Sequence, residues 1–357
     1  MVPVIDMHCD TIALIKSCEV QGYNKKNGIE TEKSFFVVTE EEKDNGLHLR
    51  RNGHDIDAER LKSAGYFCQC LGMCSSKRTS RIAGVTPMEY LRLLCDTFDQ
   101  EVAACSDILR PAVTGTEMEK NFQAGYVNVM KTIEDSMALG TDLNNLREMY
   151  DRGVRMAGLT WNFENDLAYG HHITEDGGLE VDDVHGLKPA GFAFIETMEE
   201  LGMIVDISHL NDAGTRDVIR TLKPSTPVIA THSNARNLCR AARNLPDDLL
   251  KQLADRGGVT GINFCHSFLN NKYIDGPEKL SLVSDMCEHM KYIRNLVGID
   301  AIGLGSDFDG VTSKLEVNGC GEMQKIAEGM DRAGFTDEEI EKVFYKNVLR
   351  VFKEVLG

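Results

Sequence analysis

Along the second half of the chain, short apolar runs alternate with segments whose apolar residues recur every three or four positions. This pattern predicts a helix over 189–201, strand Met203–Ile207, a helix over 212–222 and strand Pro227–Ala230. It continues with a helix over 246–256, strand Val259–Phe264, a helix over 280–297 and strand Ala301–Leu304. The first half is less regular. It opens on an apolar strand, Pro3-Val4-Ile5-Asp6-Met7, and the pattern then breaks until about residue 60. Within that break Lys25 to Gly28 mark a turn, Phe35 to Thr39 suggest a short strand or hairpin, and Glu40 to Asn45 form a charged tip. Ala64 to Met73 has the aromatic and small-residue character of a buried strand. Thr86 and Pro87 cap and open a helix reaching about Ser106, and a strand follows near Tyr126 to Ile133. A helix over 142–152 stops at Gly153, strand 154–160 comes next, and a Gly- and acid-rich loop at 170–186 has the length of a lid or substrate loop. Residues 322–356 read as two or three further helices.

Repeated strand–helix units imply a parallel sheet. About eight strands suggest that the sheet closes, giving an α/β fold of the (β/α)8 TIM-barrel type with a C-terminal helical extension, in a single domain spanning 1–357. With 42% hydrophobic and 27% charged residues, the chain has ample material for such a core. Its formal charge of −17 argues against nucleic acid or an anionic membrane as partner. An anionic small substrate would then need a cation placed locally. Cys9, Cys68, Cys70 and Cys265 sit in apolar strand-like runs, the total of 11 cysteines is odd, and no charged-then-apolar leader precedes Val4. These features read as a reduced, cytoplasmic protein. Cys68, Cys70 and Cys74 lack the second C-x-x-C that a zinc ribbon needs.

The candidate chemistry lies at the strand ends. In an extended segment residues two apart point the same way, so His8 and Asp10 can face one point. Later strand ends supply Glu134, His209, His232 and Asp307. The C-terminal ends of barrel strands converge on one face, which would gather three histidines and three carboxylates there. Imidazole nitrogen with carboxylate oxygen suits Zn2+ or a related divalent ion, and a carboxylate can bridge two. Two ions held about 3.5–4 Å apart would activate water for attack on an amide or ester, so the expected reaction is hydrolysis. Asp307 is the candidate to carry the proton; Asp309, followed by Gly310, suggests a turn instead. Simpler readings make His209 a core histidine and pair Glu134 with Lys131. His48, His54, His266 and His289 are expected to be surface or structural residues.

With those residues in place, the chain resembles the renal (membrane) dipeptidase family of zinc peptidases. The resemblance runs in order through D-M-H-C-D-T at 6–11, I-E-D at 133–135, L-T-W-N at 159–162 and D-I-S-H at 206–209. It continues through T-H-S-N-A-R at 231–236, R-N-L-P-D-D at 243–248 and G-S-D-F-D-G at 305–310. It implies that His8, Asp10 and Glu134 hold one zinc and that Glu134, His209 and His232 hold a second. It also implies that Asp307 is the catalytic acid/base and that Arg243 binds the substrate's terminal carboxylate. Where the mammalian enzymes have a histidine that polarises the scissile carbonyl, this sequence has Trp161, with one N–H donor and no titratable group. His171 or His172 from the loop is a candidate replacement. The family's membrane attachment does not carry over. The expectation is a binuclear zinc dipeptidase acting by metal-activated hydroxide, as a homodimer by base rate. The rivals are an N-acyl amino acid amidase or deacylase on the same barrel, and a metal-binding pseudoenzyme.

Overall fold

A computed structural model describes residues 1–175, 178–274 and 278–357. Eight parallel strands form its centre: β1 Val4–Asp6, β2 Tyr66–Cys74, β3 Val127–Asp135, β4 Val154–Gly158, β5 Ile204–Asp206, β6 Ile229–Ala230, β7 Val259–Ile262 and β8 Ile302–Leu304. Each pairs with the next in sequence, and β1 pairs back onto β8 through Asp6 and Leu304, so the sheet closes as a TIM barrel. A short strand, Leu109–Pro111, pairs beside the first residues of β3.

The strands are apolar on both faces because both are covered. Inward, Ile5, Met7, Cys68, Met130, Met156 and Ile204 pack together in the barrel with Val348, Val351 and Phe352. Those last three belong to the terminal helix Asn347–Leu356, which plugs the end where the strands begin: Asn347 donates to the carbonyl of Ile302, and Arg350 to that of Gly257. Outward, a second apolar layer joins strands to the surrounding helices. The plugged end leaves the C-terminal strand ends to face the site.

Local signals explain the helix boundaries. Thr86 and Glu89 form a capping box ahead of Pro87–Ala104, and Gly202 ends Pro189–Leu201 at φ 69°, a conformation glycine adopts without penalty. Two expectations from the first half do not hold. Thr11–Lys26 is a 16-residue helix; Thr11 through Cys18 are buried on every side, so no amphipathic stripe betrays it. Phe35–Thr39 is not a strand, since Phe35 and Val37 are exposed and pair with no strand among the described residues. Thr39 and Glu42 instead make a capping box for the helix Glu40–Asn45, the supposed charged tip. Helices Ala58–Ser63, Lys77–Ala83 and Gly115–Gln123 were not anticipated either.

Within the 170–186 loop, His172–Ile173 pairs antiparallel with Leu179–Glu180; residues 176–177 lie outside the described residues. The expected helix at 280 starts at Val283, because Leu280–Ser281 pairs with Lys314–Leu315. Among the described residues no helix is long and apolar enough to cross a membrane, and all 11 cysteines are free.

Candidate metal centre

The site begins with how the barrel aims its histidines. Asp6, the last residue of β1, accepts the backbone N–H of Ser306 at 2.9 Å and its hydroxyl at 2.6 Å, tying β1 to the segment after β8. Asp206, the last residue of β5, does the same to Thr231 after β6, at 2.9 and 2.6 Å. His8 follows the first clasp by two residues and His209 follows the second by three, so each hangs from a strand end whose register is fastened. His209 and Asp307 have φ of 70° and 61°, a left-handed conformation rare outside glycine and common at sites where the surrounding structure over-determines the backbone.

All six predicted residues come together. Glu134 Oε1 is the hub, 3.0 Å from His209 Nε2, 3.6 Å from His8 Nε2 and 3.9 Å from His232 Nε2. His8 Nε2 also lies 3.9 Å from Asp10 Oδ2 and 3.9 Å from Asp307 Oδ1. Three overlapping ligand groups result: His8, Asp10 and Glu134; Glu134, His209 and His232; and His8, His232 and Asp307. The simpler reading of Glu134 fails, since Lys131 pairs with Asp99 at 2.7 Å rather than with Glu134; Asp309, as expected, sits in a turn, accepting from Thr11 and from the Asp55 N–H. Asp135 faces away, accepting from Met137 and Asn165. His289 holds the Ala235 N–H and the Leu269 carbonyl, as a structural histidine would.

The hydrogen bonds behind the cluster set the tautomers. The Asn162 side-chain oxygen, 2.8 Å from His209 Nδ1, can only accept, so that nitrogen carries the proton. The Thr231 hydroxyl donates to Asp206, so it accepts from His232 Nδ1 at 2.7 Å. Both Nε2 atoms are therefore bare lone pairs, 2.9 Å apart with no proton between them. That arrangement repels unless a cation sits against both. His8 Nε2 is likewise buried without a hydrogen-bond partner. The donor set thus fits a divalent metal.

Electrostatics point the same way. Burial pushes Glu134 up to about 8, with Asp307 adding to it, and burial also raises Asp10, with Glu134 and Asp307 beside it. Burial pushes Asp307 up to about 6, against the Asn263 hydrogen bond and the Arg243 charge. Burial, then the Arg243 charge, takes His8 down to about 3, and His209 and His232 are lowered too. Carboxyl groups pushed up and imidazoles pushed down in one dry place are the mark of a site that lacks a positive charge.

Two supporting residues escaped the sequence reading. Asn263, just past β7, donates to Asp307 Oδ2 at 3.0 Å and leaves Oδ1 toward the metal cluster. Gly310 gives room for the carboxylates: a Cβ there would stand 2.0 Å from Asp10 Oδ2 and 2.6 Å from Asp307 Oδ1. A polar residue after a strand, or a glycine after an aspartate, is too common a signal to single these out.

The predicted substrate residues lie alongside. Arg243 is 4% exposed, its Nε and Nη2 are buried without partners, and burial brings its pKa down to about 10. Trp161 stacks on His209 with ring centroids 5.7 Å apart and meets Phe163 at 5.3 Å, so its ring is a wall of the site. Of the two loop histidines, His171 is buried near this wall, whereas His172 is exposed and faces Asp182.

A closed parallel barrel carrying a histidine–carboxylate cluster at its C-terminal strand ends defines a metal-dependent hydrolase. Residues 1–356 match the membrane dipeptidase family, peptidase family M19, and the chain belongs to that family of metallo-dipeptidases. It is 30% identical over 270 residues to an uncharacterized protein from the pqqA 5′ region of Klebsiella pneumoniae, covering 75% of this chain and 97% of that one. It is 33% identical over 256 residues to the dipeptidase aclJ of Aspergillus oryzae, covering 70% of this chain and just over half, 57%, of the fungal protein. The fold matches a metallopeptidase from Rhodobacter sphaeroides solved with a phosphinate mimic of the dipeptide L-Ala-D-Ala: TM-score 0.80, 21% identity, 99% of each chain covered.

Proposed function

We propose that this chain is a binuclear zinc dipeptidase that hydrolyses the peptide bond of dipeptides with a free C-terminal carboxylate. The observation that carries the reading is the hub position of Glu134, whose Oε1 faces the Nε2 atoms of His8, His209 and His232 within 3.9 Å. His8, Asp10 and Glu134 would hold one zinc and Glu134, His209 and His232 the other, Glu134 bridging. When bound, such a pair supplies Lewis acidity that polarises a carbonyl and acidifies water.

The chain's own residues do the rest. Arg243, with two unsatisfied N–H groups, grips the terminal carboxylate. Asp307 takes the attacking water's proton on Oδ1 and hands it to the leaving amine, while Asn263 holds Oδ2 still. Trp161 walls the pocket, and burial of the cluster keeps bulk water out. The net charge of −17 supports a small-molecule rather than a nucleic-acid or membrane partner, the 11 free cysteines support a reduced, cytoplasmic setting, and base rate favours a homodimer.

The test is hydrolysis of L-L and L-D dipeptides, against N-acyl amino acids, by zinc-loaded protein with metal counted on the same sample. Dipeptide cleavage with about two zinc ions per chain is expected. Cleavage of N-acyl amino acids alone would move the assignment to an amidase, and ligand binding with no product to a binding protein.

A further inference from the structure

The 170–186 loop holds one side chain that the chemistry above does not use. His171 is 6% exposed, and neither Nδ1 nor Nε2 has a hydrogen-bond partner. A buried polar atom left unpaired is disfavoured, so a ring open at both nitrogens asks for a ligand. The neighbouring His172 and His185 behave otherwise: both are exposed, and His185 Nδ1 binds Asp182 at 2.9 Å.

The backbone that carries the ring is held in place. The His171 N–H donates to the Asn162 carbonyl at 3.2 Å, and Asn162 is the residue that orients His209. The Gly170 carbonyl accepts from Asn211 Nδ2 at 2.9 Å, and Asn211 in turn caps the helix Asp212–Thr221. Gly170 itself is packed so closely that a Cβ would stand 2.6 Å from the Glu164 nitrogen and 2.7 Å from the Asn162 oxygen. This part of the loop is therefore built against the site and does not swing over it.

Its surroundings say what it would bind. Asn211, which holds Gly170, precedes Asp212; Asp212 binds Arg236, and Arg236 donates to the carbonyl of Ala242, the residue before Arg243, so His171 sits on the guanidinium side of the site, where Arg243 and then Arg236 act on its charge. Arg236 is paired with Asp212 through contacts of 2.6 and 2.7 Å and with the carbonyl of Ala242, leaving only its Nε open, whereas Arg243 keeps both Nε and Nη2 open. Burial first, and then those guanidiniums, push His171 down to about 4, against smaller upward pulls from the Glu180 carbonyl and Asp182. It is thus a neutral imidazole whose ring N–H makes no full hydrogen bond, the Glu180 carbonyl being only a weak acceptor beside it, and which stays open to a stronger, anionic acceptor on the Arg243 side.

We propose that His171 is a second carboxylate-binding residue, donating a ring N–H to the substrate's terminal carboxylate beside Arg243. This deepens the dipeptidase reading and rests on it. Arg243 offers one fork to a carboxylate; a second donor from another direction would fix the carboxylate's plane and so the placement of the scissile bond.

The test compares L-Ala-L-Ala with its C-terminal amide on wild type, His171→Phe and His171→Gln. His171→Phe should raise KM for the free acid about tenfold or more, as for a hydrogen bond to a charged group, with kcat within about threefold. The amide should lose much less, and His171→Gln, which keeps an N–H, should recover most of the acid's affinity. Calorimetric Kd values for both ligands on zinc-loaded Asp307→Asn, with and without His171→Phe, give the same comparison without turnover. An equal loss for acid and amide, or a fall in kcat alone, would overturn the proposal. Should wild type cleave no dipeptide, the dipeptidase reading fails by itself, and N-acetyl-alanine against its amide in the same binding assay still decides the role of His171.

Discussion

Replacing Gly310 with alanine would place a methyl group where Asp10 and Asp307 almost meet. The glycine's φ lies outside the left-handed region, so alanine fits the backbone and the effect is one of space alone. The added carbon would stand 2.0 Å from Asp10 Oδ2 and 2.6 Å from Asp307 Oδ1, whereas ordinary contact begins at 3.4 Å. Asp10 Oδ2 must then retreat by about 1.4 Å and Asp307 Oδ1 by about 0.8 Å, against a tolerance of about 0.2 Å for a metal–ligand distance. A shift of that size at a ligand and at the proton carrier should lower kcat/KM by about 100-fold, or about 2.7 kcal/mol. Metal counting should show one of two zinc ions weakened. The melting temperature of the chelator-stripped protein should move by no more than about 3 °C, since both carboxylates sit on side chains that can turn aside. Steady-state kinetics, metal analysis and thermal unfolding on one preparation check all three. A Gly310→Ala enzyme holding two zinc ions at wild-type kcat/KM would refute the reasoning, because the two carboxylates would then not be working where the structure puts them.

Asp307→Asn should abolish turnover while the zinc count stays at the wild-type value, measured by mass spectrometry of product and elemental analysis; full activity would remove Asp307 from the mechanism. Thr231→Val takes away the hydroxyl that holds His232 Nδ1 and fills Asp206, so zinc affinity by chelator competition should fall about 10–100-fold, with Thr231→Ser close to wild type. The metal-free protein should lose stability as pH rises from about 7.5 to 9. Above about 7.5 the histidines are almost wholly neutral folded or unfolded, whereas Glu134 titrates at about 8 folded against 4.5 unfolded. The folded state thus holds the extra proton, and its stabilising effect disappears as pH passes through about 8. Zinc should cancel that slope, and melting curves with and without chelator read it directly.

The regular alternation from residue 189 onward was legible because each strand is a brief apolar run punctuated by cap residues such as Gly202 and Asn211. The helix Thr11–Lys26 was not, because its first turns are enclosed by the chain on all sides and periodicity needs a wet face to show itself. Phe35 and Val37 misled for the opposite reason: β-prone residues make a strand only where another strand waits, and none among the described residues does there. At the site, His8 and Asp10 declared themselves by spacing, and the shared face of a barrel supplied the partners. The roles of Asp6, Asp206, Asn162 and Asn263 depend on which neighbour each reaches across the sheet, a fact of register rather than of local sequence. His171 was visible only as one of three loop histidines, and what separates it from His172 and His185 is burial.

The clasp between Asp6 and Ser306 joins residues 300 apart at the seam where the last strand returns to the first. The barrel is a ring whose clasp is also its workshop: His8 is on one side of the closing join and Asp307 on the other. A chain still emerging from the ribosome owns His8, Glu134 and His209 early, yet it cannot assemble the full constellation until residue 307 has been made and the ring has shut. Non-local closure of this kind is the slow part of folding. Capture of metal by the complete set would then act as a latch, favouring the finished circle over every open precursor and coupling the birth of activity to the end of synthesis.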